Sequence, residues 1–259
     1  MENKGGSQIY LIRHGERADQ VINPSRKIEF ENDTHLTEEG MNQANQTGQY
    51  LRKTIEYERQ ENRPFDQVII ESSPFLRCLQ TASCIAQQID IKEIKVNFGF
   101  REWVPSYIEN PLGLLYIDLK TKDDLSKEVG GLRVLIPENY QNDKVSAIKD
   151  LKFPETMDEA SDRCKYLTQD LIDIYKKSSD QRVMHIIVSH RLLVQEFGIQ
   201  NGGNNYRFQY CSVSAIEIQQ GDQGTRLLVD NEIFYEVDKV DSDEDEFEDD
   251  NQNIDGNLV

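Results

Sequence analysis

The chain is short of cations: 29 lysines and arginines stand against 47 acids in 259 residues, a formal net charge of −18. Nucleic acid is held by clustered Lys and Arg, so that class of partner is not expected. Long apolar runs are missing too. No segment approaches eighteen consecutive apolar residues and no charged-then-apolar leader precedes Ile9, so neither a helical membrane span nor a secretory leader is expected. Cysteine is scarce, with four residues at 78, 84, 164 and 211 and no Cys-x-x-Cys pair. These read as reduced core thiols of a cytoplasmic or nuclear protein, with no metal-ligand spacing. Gly-x4-Gly-Lys-Ser/Thr and Gly-x-Gly-x-x-Gly loops are absent. Cys-x5-Arg is absent as well, because six residues after the four cysteines stand Cys84, Asp90, Asp170 and Glu217. That excludes a cysteine phosphatase.

The acids are unevenly placed. Residues 238–259 hold ten of them against Lys239, with Phe247 as their one aromatic. Such a segment buries too little apolar surface to order itself and reads as a disordered, solubilising tail. Residues 1–237 are long enough for one domain with its own core.

Within that domain strands and helices alternate. Gln8–Ile12, Gln67–Glu71 and Arg182–Ser189 are apolar runs of strand length, and Glu93–Val96 is a weaker one. Thr37 is placed to cap a helix running to Gln60, with Met41, Ala44, Gly48, Leu51 and Ile55 on one face. Ser73-Pro74 opens a helix to Ile89 in the same way. Thr156-Met-Asp-Glu159 is a capping box for a helix to about Lys177, its apolar face Ala160, Cys164, Leu167, Leu171 and Ile174. A further helix starts at His190. Ser212–Gln219 and Thr225–Asp230 flank Gly221-Asp-Gln-Gly224 as a hairpin. The order predicts an α/β three-layer sandwich: a mainly parallel sheet, helices on both faces and a C-terminal β-hairpin. Residues 98–155, rich in Pro and Gly and with a short helix expected around Leu112–Lys120, interrupt the rhythm and read as an inserted lid over the sheet's carboxyl edge.

Ligands bind outside the carboxyl ends of such strands, and three strand ends carry unusual residues. The first delivers Arg13-His14-Gly15-Glu16, where glycine is expected to turn the backbone away and leave the imidazole open. The second is followed by Ser72-Ser-Pro-Phe-Leu-Arg77, with Arg77 near a helix N-terminus. The third ends at Ser189-His190. Two arginines, two histidines and two helix N-termini would thus meet in one pocket of an acidic protein. That pocket suits a dianion such as a phosphate group, which guanidinium donors match in geometry. An imidazole there can attack phosphorus while the cations stabilise the transition state without a metal. An acid for the leaving oxygen is still needed. Glu102, beside Trp103, is the best-placed candidate, with a raised pKa expected; Glu109 and Glu16 compete for the role.

Arg13-His-Gly-Glu-Arg17, Leu36-Thr-Glu-Glu-Gly-Met-Asn-Gln-Ala44, Ser72-Ser-Pro-Phe-Leu-Arg-Cys-Leu-Gln-Thr-Ala82 and Val188-Ser-His190 resemble, in order and spacing, the motifs of the histidine phosphatase superfamily. The resemblance spans about Gln8 to Asp230 and implies the phosphoglycerate mutase-like fold. It implies that His14 becomes a phosphohistidine, that Arg13, Arg77 and His190 hold the phosphate, and that Glu102 is general acid and then base. No cofactor is implied. Arg-His-Gly-Glu-Arg followed by Ala-Asp, with a Glu-Trp, looks most like the phosphatase domains of T-cell-signalling suppressor proteins and steroid-phosphate phosphatases. Mutases usually place a Trp-Asn pair where this chain has Arg17-Ala-Asp, and Arg191 stands where Gly or Ala commonly follows the second histidine. Arg17 and Arg191 are thus candidate substrate contacts, the alternative being solvated surface cations.

The expected function is metal-independent hydrolysis of phosphomonoesters, on a small molecule or a phosphoprotein. A mutase-type phosphotransferase and a catalytically silent phosphate-binding scaffold are the alternatives. Oligomeric state is left open, a dimer being compatible.

Overall fold

The structure, a computed structural model, describes residues 5–30, 32–104, 122–137, 154–178, 180–204, 209–219 and 224–236. The helix expected at Leu112–Lys120 and the acidic tail lie outside these residues. So does most of the hairpin turn; Gly224, at its end, has φ +79.

Seven strands form one sheet: β1 (Gln8–Arg13), β2 (Gln67–Ser72), β3 (Glu93–Val96), β4 (Arg133–Leu135), β5 (Val183–Ser189), β6 (Val213–Ile218) and β7 (Thr225–Glu232). Their order across the sheet is β4-β3-β2-β5-β1-β6-β7. The first five in that row run parallel, and β6 and β7 form the expected antiparallel hairpin against β1. Helices α1 (Glu38–Gln60) and α2 (Leu76–Gln88) cover one face, α4 (Met157–Lys177) and α5 (Arg191–Gln200) the other, and the short α3 (Lys122–Glu128) precedes β4.

The alternation of side chains along β1 shows why the sheet is covered twice. Tyr10 and Ile12 join a core with Leu51, Leu79 and Ile85, while Ile9 and Leu11 join a second with Cys164, Ile172, Leu193 and Phe197. Each fully buried Leu or Ile contributes about 1.5–3 kcal/mol. These two cores therefore offset the polar groups buried at the carboxyl edge.

Three local expectations need correction. Met41 on α1 and Ile174 on α4 are exposed, at 37% and 45%. On α1 the inner face is instead made of small and polar groups, Gly40, Gln43, Ala44, Thr47 and Gly48. The reason is close approach: a Cβ on Gly48 would lie 3.0 Å from the Cα of Ile85 on α2. Ser73 does not cap α2, which begins after Phe75. Asp33, from the loop before α1, accepts the Leu76 N–H at 2.6 Å and supplies the cap from a distance. The capping box at Thr156 and Glu159 is formed as the sequence predicts.

Gly15 has no left-handed backbone; its reason is packing. A Cβ there would lie 2.4 Å from the carbonyl oxygen of Gly40, and a Cβ on Gly40 would lie 2.4 Å from that of Glu16. Two backbones meet at this crossing, and the segment after β1 is pinned on the first turn of α1. Gly15 N–H donates to Thr81 Oγ1 at 3.0 Å, and Glu16 N–H to Gln43 Oε1 at 3.1 Å. The Glu16 carboxylate accepts from the Thr37 hydroxyl at 2.6 Å, so it braces the loop.

Gly40→Ala separates two effects of opposite sign. Helix propensity favours alanine by about 1 kcal/mol, whereas overpacking against a backbone costs about 1–3 kcal/mol. The clash is with backbone that cannot rotate away, so the variant is expected to unfold at lower urea than the parent. A midpoint equal to or above the parent's would contradict the close-packing account.

Candidate active site

Adjacent parallel strands in register bring three distant segments together. Arg13 pairs with Ser189 across β1 and β5, and Ser72 with Val188 across β2 and β5. His14 N–H donates to Ser189 O at 3.0 Å and Ser73 N–H to Val188 O at 2.9 Å. Each chain therefore leaves the sheet at the same level. A fourth segment, the loop after β3, is hooked on by Ser189 Oγ, which donates to Phe100 O at 2.8 Å.

His14 is buried, and its Nδ1 lies 2.8 Å from its neighbour Gly15's carbonyl oxygen. A carbonyl only accepts, so Nδ1 carries the proton and Nε2 keeps its lone pair. Among the described residues Nε2 makes no hydrogen bond. Burial, then Arg77, His190 and Arg13, hold His14 well below its usual range. The ring is neutral at neutral pH, as a nucleophile requires.

The His190 ring centroid is 5.4 Å from that of His14, the planes at 66°. Its Nδ1 lies 3.0 Å from Glu102 Oε2 and its Nε2 2.7 Å from Ser73 Oγ. The consistent assignment has Nδ1–H donating to the carboxylate and Ser73 donating to Nε2. Burial sets His190 at about 4 even with Glu102 pulling the other way.

Arg77 is 3% exposed. Its Nη2 reaches Glu102 Oε2 at 3.4 Å and its Nη1 reaches Asn32 O at 3.5 Å, while among the described residues Nε makes no hydrogen bond. The face of Phe75 lies 4.4 Å from the guanidinium carbon. Arg13 lies over the ring of Tyr210 at 4.2 Å.

Glu102 joins this cluster, but with the opposite charge behaviour from that expected. Burial alone would raise its pKa; the bond from His190 together with Arg77 and Arg17 outweighs it and holds the carboxyl well below its usual range. Trp103 does not desolvate an isolated acid here. The carboxylate is ionised in the free protein because a guanidinium and an imidazole N–H face it.

The structure thus brings His14, Arg77, His190 and Glu102 into one cluster, with Arg13 within electrostatic reach. Arg17 is half-buried, ion-paired to Asp19 and close enough to act on Glu102. Arg191 is exposed on the first turn of α5 and acts on Arg13. Glu109 lies outside the described residues. Two contributors escaped sequence reasoning. Ser73 was assigned to a helix cap, and Tyr210 carries no motif; it precedes Cys211, whose N–H donates to His14 O at 3.2 Å.

Ligand atoms of His14, Glu102 and His190 lie within 4.8 Å of one another, close enough to hold a cation. Both His190 nitrogens are engaged, however, and Arg77 contacts Glu102 directly. A dication would enter beside a buried guanidinium, so the donor set favours an anion.

The profile described as histidine phosphatase superfamily (branch 1) matches residues 9–111. A probable phosphoglycerate mutase GpmB of Salmonella typhi is 27% identical over 216 residues, covering 82% of this chain and 86% of that protein. The protein of that name from Erwinia tasmaniensis is 26% identical over 214 residues. The solved phosphoglycerate mutase from Bacillus anthracis str. Sterne superposes with a TM-score of 0.52 at 19% identity, over 90% of this chain and 96% of that one. A second, Mycobacterial hydrolase 1, gives 0.50 at 15%, over 88% and 99%. Residues 9–111 thus match the histidine phosphatase superfamily, the chain is similar along most of its length to proteins named as probable phosphoglycerate mutases, and it has the phosphoglycerate mutase-like fold. That grouping is coarser than the phosphatase domains of T-cell-signalling suppressor proteins and steroid-phosphate phosphatases. Among the described residues no helix is long and apolar enough to cross a membrane.

Histidine protonation gives a direct check. His190 lies at about 4 and His185 at about 3, against an ordinary value of about 6.5. As pH falls below about 6.5 the unfolded chain takes up protons that the folded one refuses, so their stabilising contribution is full above that pH and drains towards about 4 for His190 and about 3 for His185. Relief of the net negative charge works in the opposite direction, so ring NMR shifts are the cleaner measurement. The signals of His14, His185 and His190 should stay flat from pH 8 to about 5. A midpoint near 6.5 for His14 or His190 would contradict the charge state derived above.

Proposed function

We propose that the protein is a metal-independent phosphomonoester hydrolase working through a phosphohistidine on His14. The observation that carries this reading is a neutral buried imidazole, oriented by the Gly15 carbonyl, beside an incompletely partnered guanidinium. Arg13, Arg77 and His190 would hold the phosphate, with Arg17 and Arg191 at the rim as substrate contacts. Residues 1–237 would form the catalytic domain, with 98–155 setting substrate choice and 238–259 as a solvated tail.

His14 Nε2 attacks phosphorus, the bond to the leaving oxygen breaks, and the ring becomes cationic. The Nδ1–H bond to Gly15 strengthens as that charge develops, and the guanidiniums take up charge on the equatorial oxygens. The leaving oxygen needs a proton, yet Glu102 starts ionised. A bound dianion supplies the reason for the change. It competes with Glu102 for Arg77 and His190, and it sets negative charge beside the carboxylate, which raises its pKa. The acid is therefore charged with its proton as substrate binds. After departure of the alcohol, the carboxylate takes a proton from water, which attacks the phosphohistidine and frees His14.

Transfer to a second hydroxyl in place of water is the other reading, supported by the mutase names of the relatives. Adding 3-phosphoglycerate with 2,3-bisphosphoglycerate and watching for 2-phosphoglycerate distinguishes it from hydrolysis. The substrate screen should span phosphotyrosine peptides, sugar phosphates and lipid or steroid phosphates, each with and without EDTA.

His14→Ala should lower hydrolysis of p-nitrophenyl phosphate by about 10³-fold or more with an unchanged circular dichroism spectrum. Turnover at the parental rate would refute the assignment. Glu102→Gln should cost about 10²-fold or more with phenyl phosphate, a poor leaving group, and under about tenfold with p-nitrophenyl phosphate, whose departure needs little protonation. Equal losses would point to a different acid.

A further inference from the structure

Both chain neighbours of Glu102 are tied to a single residue. Glu155 is buried, its side chain 3% exposed. Its Oε1 accepts from Arg101 Nη2 at 3.1 Å and from Arg163 Nε at 2.8 Å, and its Oε2 accepts from Arg163 Nη2 at 2.7 Å. Its backbone carbonyl accepts from the Trp103 indole at 2.9 Å, and its N–H donates to Val104 O at 3.2 Å. Arg163 completes the clasp, donating through Nη1 to Arg101 O at 3.2 Å and to Gly99 O. Residues 99, 101, 103 and 104 are thus held from one point, and residue 102 is the one in that run whose side chain turns to the cationic cluster.

We infer that Glu155 is a positioning residue for the reaction: with Arg163 it sets the backbone from which Glu102 reaches the leaving oxygen. The inference rests on Glu102 being the proton donor. The chemistry of the clasp supports it. A carboxylate shared by two guanidiniums is a poor choice for stability alone, since burying two cations with one anion carries a large desolvation cost. Its geometric content is high, because the planar fork of Arg163 fixes two carboxylate oxygens and a backbone carbonyl at once. Placement of a catalytic group within a fraction of an ångström justifies such a device.

The test uses the full chain with Glu155→Gln and Arg163→Lys. Glutamine keeps the volume and the backbone bonds to Trp103 and Val104 but removes the charge. Lysine keeps a cation and loses the fork, so it carries the test if Glu155→Gln fails to fold. Trp103 is the chain's single tryptophan, so its emission reports on this loop directly. The expected result is a folded protein with shifted Trp103 emission, kcat for phenyl phosphate down by about tenfold or more, and kcat for p-nitrophenyl phosphate changed by less than about threefold. KM for both substrates should stay within about twofold, since the phosphate cradle is untouched. Equal loss with both substrates, or no loss with phenyl phosphate, would overturn the inference. Glu102→Gln measured alongside separates the two levels. If it shows the leaving-group dependence and the clasp variants do not, only the positioning role falls. If it shows none, the assignment of Glu102 falls and the positioning role with it.

Discussion

A concentration of positive charge that the protein does not fully neutralise governs this structure. Arg77 sits in the first turn of α2, where the helix N-terminus already carries a partial positive charge. It is almost wholly buried, and among the described residues its polar contacts are 3.4 Å or longer and Nε makes none. Each of these facts is unfavourable for an isolated guanidinium. Burial keeps both imidazoles neutral, with the arginine adding to it, and the same charge helps His190 to hold Glu102 ionised. An anion in the cradle would supply the close contacts that the arginine lacks among the described residues, which is the physical basis for proposing a phosphate group as its occupant.

The sheet makes that concentration affordable. Because β1, β5 and β2 are neighbours and parallel, their ends are fixed by ladder hydrogen bonds on both sides of β5, and the two apolar cores hold the strands from either face. The cradle is then a consequence of register. A one-residue slip of β5 would turn His190 to the opposite face and move Ser189 away from Phe100, unhooking the Glu102 loop as well. The crossing of Gly15 and Gly40 plays the same part on the α1 side. The ladder bonds and the glycine crossing are backbone-to-backbone, whereas the Glu102 loop is hooked on by the hydroxyl of Ser189.

Strand ends, helix starts and the residues at them were readable in the sequence because period, caps and motif order are local signals. Thr37, Thr156 and the run Val183–Ser189 behave as their neighbours dictate. The meeting of His14, Arg77 and His190 followed from the parallel strand order, but several details set by a partner far along the chain could not be read. Ser73 looks like a cap, yet α2 is capped by Asp33, 43 residues before Leu76, and the serine turns to His190. Gly15 looks like a turn residue, yet its constraint comes from Gly40. Glu102 beside Trp103 suggested an isolated, protonated acid. The reversal comes from Arg77 and His190, 25 and 88 positions away. Met41 and Ile174 fit a 3.6-residue pattern and still face water, because the inner face of α1 is decided by backbone distance to α2.

The ionised Glu102 also orders the proposed cycle. A carboxyl with a permanently raised pKa would be ready for the first half-reaction and unfit for the second, where a base must receive a proton from water. The resting state has the reverse preference: its carboxylate suits the hydrolytic step, and the incoming dianion converts it for the first. When the alcohol leaves, phosphate charge remains on His14 while the newly formed imidazolium adds a positive charge beside it. That addition lowers the pKa of the carboxyl again, at the moment when water must be activated. One group thus changes role because the charge around it changes, with no second acid required. In the proposed cycle, whether water or another hydroxyl reaches the phosphohistidine would depend on the groups that surround it, Arg17 and Arg191 being the proposed substrate contacts there.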